Sequence, residues 1–522
     1  MMIRISYLHC IIIILVCATA QEFFPCAQRT TEYGAVCVCN LTYCDTIPPI
    51  QILKSGQYQF YTTSEVELGF SSLTGTFSDL DDNLITTASV TITNITDTKQ
   101  AIIGFGGTFT DSTGIAIGRL SEGAQENFIQ SYFGENGVQY SIGRVPVGGT
   151  DYSIRGYTYC DEEDETLDSF ALQPEDISYK IPIIQRALEL RGKENVKLIA
   201  SGWSAPLWMK VNPTYGGTTS VQEKYYSLFA QYYIKFFEAY NQNNITFWGV
   251  TTQNEPINGL LNIKIPNNGF TSSQMKTWIK EAFGPTIRNS SFKDLKILAH
   301  DDQVPVMLVL INQVLSDPEV VDYVDGIAVH WYWNRFLPLS WTYNFLPSSF
   351  EGSSSTKELF LLSTEACNGF GNIVGIESSV EFGSWTRGQM YVTDIIKELT
   401  YNHVAWVDWN MALNMTGGPN WVDNEVDSAI LVNDTTDEFY KQPMFYGLGH
   451  FSKFVVPGSK RVVSTVTGLG LESISFVRPD GKVAVVMANT RSSTLDVEVQ
   501  IEGKKGVVYL AANSFNTLLF TV

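Results

Sequence analysis

Two glutamates stand where apolar runs give out. Phe247-Trp248-Gly249-Val250-Thr251-Thr252-Gln253-Asn254-Glu255-Pro256 opens on bulky strand formers and closes on an amide, a carboxylate and a proline. Phe, Trp, Val and Thr suit a packed sheet. Pro256 stops the pairing, because it has no N–H and restricts the residue before it. Phe360-Leu361-Leu362-Ser363-Thr364-Glu365-Ala366 repeats the design. Either glutamate alone is a strand-end residue in a polar loop. Two carboxylates on the ends of two buried strands can serve as acid/base and nucleophile, the pair that breaks a glycosidic bond.

Holding such a pair requires a sheet whose strands all end on one side. Eight short apolar segments alternate with amphipathic helical patterns, the signature of a parallel α/β sheet. They are 102–106, 140–145, 198–203, the run to Glu255, 297–301, 327–331, 359–365 and 404–409. Between them, 225–240 carries Leu228, Phe229, Tyr232, Tyr233 and Phe236 at three- and four-residue spacing, and 181–190 and 306–314 are similar. Eight strand–helix units over this length fit an α/β fold of the (β/α)8 TIM-barrel type. A doubly wound sheet is the alternative, but no strand end carries a dinucleotide fingerprint.

The eight strand ends are polar or aromatic: Gly107 to Asp111, Arg144 with Asp151 beyond it, Trp203, Asn254-Glu255, Asp301-Asp302, His330 to Tyr332, Glu365, and Asp408 to Asn410. Carboxylates act on the glycosidic bond, amides and acids bind hydroxyls, and aromatic faces cover the C–H face of a sugar ring. Three other patterns lead nowhere. Gly104-Phe105-Gly106-Gly107 has no following Gly-Lys-Ser/Thr, so it is no phosphate loop. Gly202-Trp203-Ser204-Ala205-Pro206 lacks the second glycine of a nucleophile elbow. The five histidines have no paired metal-ligand spacing, and Asp301-Asp302 suits hydrogen bonding better than a metal, so neither metal nor cofactor is expected.

The flanks differ from this middle. Thr86-Thr87-Ala88-Ser89-Val90-Thr91-Ile92-Thr93 alternates polar with apolar, as do stretches beyond Arg461, and Asp480-Gly481 is a hairpin turn signal. One β-sandwich assembled from both ends is expected. The division is a signal peptide at 1–20, a disulfide-bonded β unit at 21–50, the first part of the sandwich at 51–100, the barrel at 101–455 and the second part of the sandwich at 456–522.

Arg4, the apolar run Ile11 to Val16 and Ala18-Thr19-Ala20 have the form of a secretory signal, with a mature chain from Gln21 that does not span a membrane. Cys26, Cys37, Cys39 and Cys44 cluster behind it and suggest two disulfides, a zinc knuckle being the rival. Cys160 and Cys367 are left as free thiols. Asn40, Asn94, Asn244, Asn289, Asn414 and Asn433 begin Asn-x-Ser/Thr sequons; Asn414, beside a candidate active-site strand, is the one expected to stay bare. The 522 residues carry a net charge of −20, with 34 basic against 54 acidic side chains. That excludes nucleic acid as a partner and suits an acidic compartment.

The sequence resembles glycoside hydrolase family 30 over nearly all of the expected mature chain. The resemblance rests on Cys37-Val38-Cys39-Asn40, Gly104-Phe105-Gly106-Gly107, Arg144-Val145-Pro146, Asp151-Tyr152-Ser153-Ile154-Arg155, Asn254-Glu255-Pro256, His330-Trp331-Tyr332, Thr364-Glu365-Ala366-Cys367, Asp408-Trp409-Asn410, Gly417-Gly418-Pro419-Asn420-Trp421 and Tyr440-Lys441-Gln442-Pro443-Met444-Phe445-Tyr446. It implies a retaining β-glucosidase acting on glucosylceramide, with Glu255 as acid/base and Glu365 as nucleophile. Asp151, Trp203, Asn254, Tyr332, Trp409 and Asn420 would surround the glucose, with Arg144 and His330 on the same rim. It also implies the pairing Cys26–Cys37 and Cys39–Cys44, lysosomal delivery or secretion, and peripheral membrane association helped by a saposin-type activator and anionic lipid. Thr252-Gln253, Thr364, Asn368 and the loop Trp333-Asn334-Arg335-Phe336 depart from the family pattern. The division of labour calls for Glu365 held ionised by donors such as Arg144, and Glu255 raised by its neighbour's charge.

Overall fold

The computed structural model describes residues 23–77, 86–371 and 377–522. The expected signal peptide lies outside the described residues. Eight parallel strands close into a barrel: β1 Gly104–Thr108, β2 Ile142–Val147, β3 Lys197–Gly202, β4 Gly249–Thr251, β5 Lys296–Gln303, β6 Gly326–His330, β7 Phe360–Glu365 and β8 His403–Asn410. Each pairs with its chain neighbours, and β8 pairs with β1 to close the ring. Ile142, Ile199, Leu298, Ala328, Leu362 and Val407 form one apolar cluster across six of the strands. Helix α1 (Tyr226–Gln242) buries Phe229, Tyr232, Tyr233 and Phe236 of the expected stripe, with Leu228 half-buried and Tyr240 extending the buried face. Helix α2 (Trp385–Thr400) precedes β8.

The run of glycines in β1 serves packing. A Cβ on Gly106 would lie 1.8 Å from the Ile142 carbonyl oxygen of β2, so only glycine allows the strands this close approach. Strand β4 is shorter than its sequence suggests, because Thr252 onward turns away to reach other strands. The Thr252 N–H donates to Leu298 O, and the Asn254 N–H to Gly202 O.

A seven-stranded sheet holds Gln57–Ser64, Ser71–Thr76 and Thr98–Ala101 beside Lys460–Val462, Leu471–Val477, Lys482–Asn489 and Ser514–Thr521. A four-stranded sheet joins Ala88–Ile92 to Thr465–Thr467, Leu495–Ile501 and Lys504–Leu510. Phe60, Val90, Val485, Val497 and Leu518 share one core drawn from both sheets. Gly481 turns the hairpin between Leu471–Val477 and Lys482–Asn489 at φ 82°.

Disulfides join Cys26 to Cys37 and Cys39 to Cys44, which leaves those sulfurs unable to bind zinc. The strands Gln28–Thr30 and Ala35–Asn40 do not stand alone. Ala35–Asn40 pairs with Glu438–Lys441, and the sheet continues through Ile430–Asn433 to Leu413–Asn414. Two short strands would leave an open edge and little core; chain beyond β8 supplies both. Cys160 and Cys367 are free and buried. Of the sequons, Asn94, Asn244 and Asn289 are exposed, whereas Asn40, Asn414 and Asn433 are half-buried.

Candidate active site

Glu255 and Glu365 face one another across the barrel mouth. One carboxylate oxygen of each lies within 4.8 Å of the other, and of a His330 ring nitrogen. Glu255 follows β4 with φ 38°, a left-handed conformation that a non-glycine residue keeps only when its surroundings enforce it. Its N–H donates to Asp301 O, while its carboxylate accepts from Gln303 Nε2 at 2.7 Å and Asn258 Nδ2 at 2.6 Å. Glu365 ends β7. It accepts from the Tyr332 hydroxyl at 2.7 Å and forms a buried ion pair with Arg144.

A polar layer under the glutamates fixes their orientation. Arg144 Nη2 donates to Asp301 at 2.9 Å, to Asn254 Oδ1 at 2.7 Å and to Ser201 at 3.2 Å. His330 stands between Glu255, at 2.9 Å from Nδ1, and Asp301, at 3.1 Å from Nε2. Asp301 is the hub, also accepting from Ser201 and Thr364. A bulge in β5 makes this possible: pairing with β6 shifts register between His300 and Asp302, and both His300 and Asp301 have positive φ. Such bulges re-aim side chains.

Electrostatics follow from burial and partners. Burial alone would lower the pKa of His330, but Glu365, Asp301 and Glu255 raise it to about 10. His330 is therefore an imidazolium with both N–H groups committed. The trio Glu255, His330 and Glu365 has the composition of a metal site, but its groups already have protein partners: His330 bonds to Glu255 and Asp301, Glu365 to Arg144 and Tyr332, and Glu255 to Gln303 and Asn258. Burial raises the Glu365 pKa, while His330 and Arg144 pull it down. The expectation of a depressed Glu365 omitted that loss of solvent, which outweighs the donors. Asp151 is pushed up to about 7 by burial and then by the Glu365 charge.

A cavity of about 190 Å³ opens onto both glutamates. That is below the ~300 Å³ typical of pockets for drug-sized ligands, and it suits a single sugar ring. Asp151, Trp203, Asn254, Tyr332 and Trp409 share its wall with Glu255 and Glu365. Trp203 and Trp409 stack at 5.2 Å between centroids, with the Arg144 guanidinium over both rings.

Three sequence expectations are placed elsewhere. Arg144 and His330 are wholly buried and off the cavity wall, engaged by Glu365, Glu255 and Asp301. Asn420 is also off the wall; its Oδ1 accepts from the Val422 and Asn424 N–H groups and shapes the turn. Asn424 lines the cavity instead and donates to Asp151 at 2.8 Å. Sequence reasoning also missed Gln303 and Asn258. Gln303 was within sight, one residue past Asp301-Asp302, but the bulge that turns it toward Glu255 has no sequence signal.

Residues 102–455 match the glycosyl hydrolase family 30 TIM-barrel domain, and residues 458–518 match the family 30 β-sandwich domain. The lysosomal acid glucosylceramidase of Mus musculus is 38% identical over 491 residues, 91% of each chain. The chain belongs to glycosyl hydrolase family 30. It is a glycoside hydrolase. Solved structures agree on the fold: SrfJ from Salmonella typhimurium superposes with a TM-score of 0.78 at 23% identity, covering 89% of this chain and all of that one. An endo-β1,6-glucanase superposes with a TM-score of 0.75 at 22% identity, with the same coverage. In this family 30 chain, one carboxylate oxygen of each glutamate lies within 4.8 Å of the other, an approach that a retaining pair, with carboxyls ~5–5.5 Å apart, requires. Among the described residues, no helix is long and apolar enough to cross a membrane.

Proposed function

We propose that this chain is a retaining β-glucosidase that hydrolyses glucosylceramide to glucose and ceramide, with Glu365 as nucleophile and Glu255 as acid/base. The observation that supports the assignment is a difference within the close pair: both carboxylates lie near the His330 cation, but only Glu365 also pairs with a guanidinium. Glu365 is paired to a guanidinium, which stays charged at any working pH, and the Tyr332 hydroxyl reaches the same carboxylate. Glu255 is held by two neutral amides and His330.

In the first step Glu365 attacks the anomeric carbon as the bond to the aglycone oxygen breaks, and Glu255 gives its proton to that oxygen. In the second, Glu255 takes a proton from water, which attacks the glycosyl-enzyme and releases glucose with its configuration kept. Asp151, Asn254 and Asn424 supply acceptors and donors for hydroxyls. The Trp203–Trp409 stack bounds the apolar side of the ring.

A lysosomal, membrane-peripheral setting fits two features. The exposed side chains Trp333, Phe336, Trp341 and Phe345 lie on the segment after β6, and Leu261 and Ile263 on the loop after β4. Trp333, Leu261 and Ile263 reach the cavity itself. An apolar rim of this kind suits an anionic lipid surface or a saposin-type activator. The deciding assay compares glucosylceramide with soluble glucosides and xylosides at acid pH. Preference for a xyloside or a glucan would overturn the lipid assignment and keep the chemistry; no turnover of any glycoside would overturn both.

A further inference from the structure

Asp111 stands at the tip after β1, buried and off the catalytic cavity wall, and it takes no part in the chemistry above. It opens the helix Asp111–Ile117. Its Oδ2 accepts from the Ser153 hydroxyl at 2.6 Å and the Tyr157 hydroxyl at 2.9 Å, and the Lys180 ammonium lies 3.4 Å from its Oδ1. Both hydroxyls are already acceptors, Ser153 from the Thr150 N–H at 3.0 Å and Tyr157 from Lys180 at 3.3 Å. A hydroxyl has a single proton to give, so each sends it to Asp111. With donors facing both oxygens, Asp111 acts as a carboxylate. Burial pushes its carboxyl up, and Lys180 is foremost among the groups that pull it back.

These bonds converge on the turn after β2. Thr150 and Ser153 bracket Asp151, the acid on the cavity wall. The Tyr152 N–H donates to Thr150 Oγ1 at 2.8 Å, so two side-chain bonds close the turn, and one of them needs Ser153 as acceptor. Ser112, the next residue along the helix, grips the turn's backbone. Its N–H and its hydroxyl reach Tyr152 O at 3.0 and 2.7 Å. The same hydroxyl also bonds to Pro419 O, in the turn that presents Asn424. Asp111-Ser112 thus joins the two turns whose side chains meet as Asp151 and Asn424, 2.8 Å apart.

We propose that Asp111 is a positioning residue for the sugar: through Ser153 it sets the turn that aims Asp151 into the catalytic cavity, and so governs recognition of the hydroxyl that Asp151 binds. The inference rests on the active-site reading above. The rival account is an ordinary buried ion cluster, Lys180 with Asp111 and with Asp176 at 2.9 Å, serving the fold as a whole. The two accounts differ over individual hydroxyls. A misaimed Asp151 weakens one contact, whereas a loosened fold weakens every one.

The test uses p-nitrophenyl β-D-glucoside and a set of analogues, each with one ring hydroxyl replaced by hydrogen. In the full-length protein, Asp151→Asn identifies the hydroxyl that this acid reads, because its deficit against the wild type shrinks on the analogue lacking that group. Ser153→Ala and Asp111→Asn should lower kcat/KM on the parent glucoside by roughly ten- to a hundred-fold, the effect of a small misplacement. Their deficits should shrink on the same analogue as that of Asp151→Asn. The readout is the variant-to-wild-type ratio compared between substrates, so the amount of folded enzyme cancels.

Ser153→Ala removes one oxygen atom and keeps the test open should Asp111→Asn fail to fold. A deficit spread evenly over the analogues in either folded variant, or no deficit in Ser153→Ala, overturns the inference. An even deficit in Asp151→Asn itself would overturn the sugar-ligand reading and this inference with it, and is distinguishable because it appears without any change at Asp111 or Ser153.

Discussion

His330 Nδ1 lies 2.9 Å from Glu255 Oε1, and the same nitrogen is 3.9 Å from Glu365. One buried cation thus stands between the two carboxylates without reaching the cavity. It lets two acids sit close together in a dry site, where their mutual repulsion would otherwise favour a proton shared on one of them.

Replacing His330 with Gln should lower kcat/KM by roughly ten- to a hundred-fold, the range of a lost charged hydrogen bond. The stability consequence has a definite sign. The folded-state pKa, about 10, lies above the unfolded value, so the stabilisation is complete below about pH 6.5 and is lost as pH rises toward 10. Urea midpoints at pH 7 and 9.5 should fall more for the wild type than for His330→Gln. Equal falls would remove the cationic role.

Acid should stabilise this fold. Burial pushes Asp408 up to about 8, and Asp151, Asp302 and Asp394 up to about 7. A carboxyl raised in the folded state keeps its proton while the unfolded chain loses it, so stability declines as pH climbs from about 4 to the folded value. Each such proton is worth about 1.4 kcal/mol per pH unit. His300 and His450, lowered by burial to about 4 and about 3, oppose this below pH 6.5, as two groups against four. The melting temperature should be higher at pH 5 than at pH 7.5. Asp408→Asn keeps an acceptor for the Tyr391 hydroxyl, 2.7 Å away, and should reduce the slope by close to one proton.

The two glutamates should separate by product stereochemistry. Glu365→Gly should abolish turnover of ordinary substrates, since no covalent intermediate can form. Glu255→Ala should spare the first step on an activated aryl glucoside, whose leaving group needs no proton, and then stall. Azide should rescue it with β-glucosyl azide, because the anion attacks the glycosyl-enzyme without a base. Azide rescue of Glu365→Gly should give the α-azide by direct displacement. Interchanged anomers would reverse the two roles.

Cys37→Ser or Cys39→Ser should depress secreted yield far more than Cys160→Ser. Each of the first two breaks a disulfide in the strand that pairs with Glu438–Lys441, at a cost of roughly 2–5 kcal/mol. Cys160 is a free thiol. Comparable secretion of all three variants would contradict this.

The barrel and the two catalytic candidates were legible because their signals are local. An apolar run ending in Asn254-Glu255-Pro256 marks a strand and its tip without reference to any other residue, and the stripe on Tyr226–Gln242 repeats at the helical period. Alternating polar and apolar residues likewise announced the sandwich strands of both flanks. What each rim residue does depends on long-range register instead. The β5 bulge turns Asp301 into the hub that holds Arg144 and His330 beneath the glutamates, off the cavity wall. Asn424 displaced Asn420 on the cavity wall because the turn that Asn420 shapes presents the later side chain. Burial, too, is a property of the folded whole: it raises Glu365 against its donors, a balance set by how much water the surrounding chain excludes.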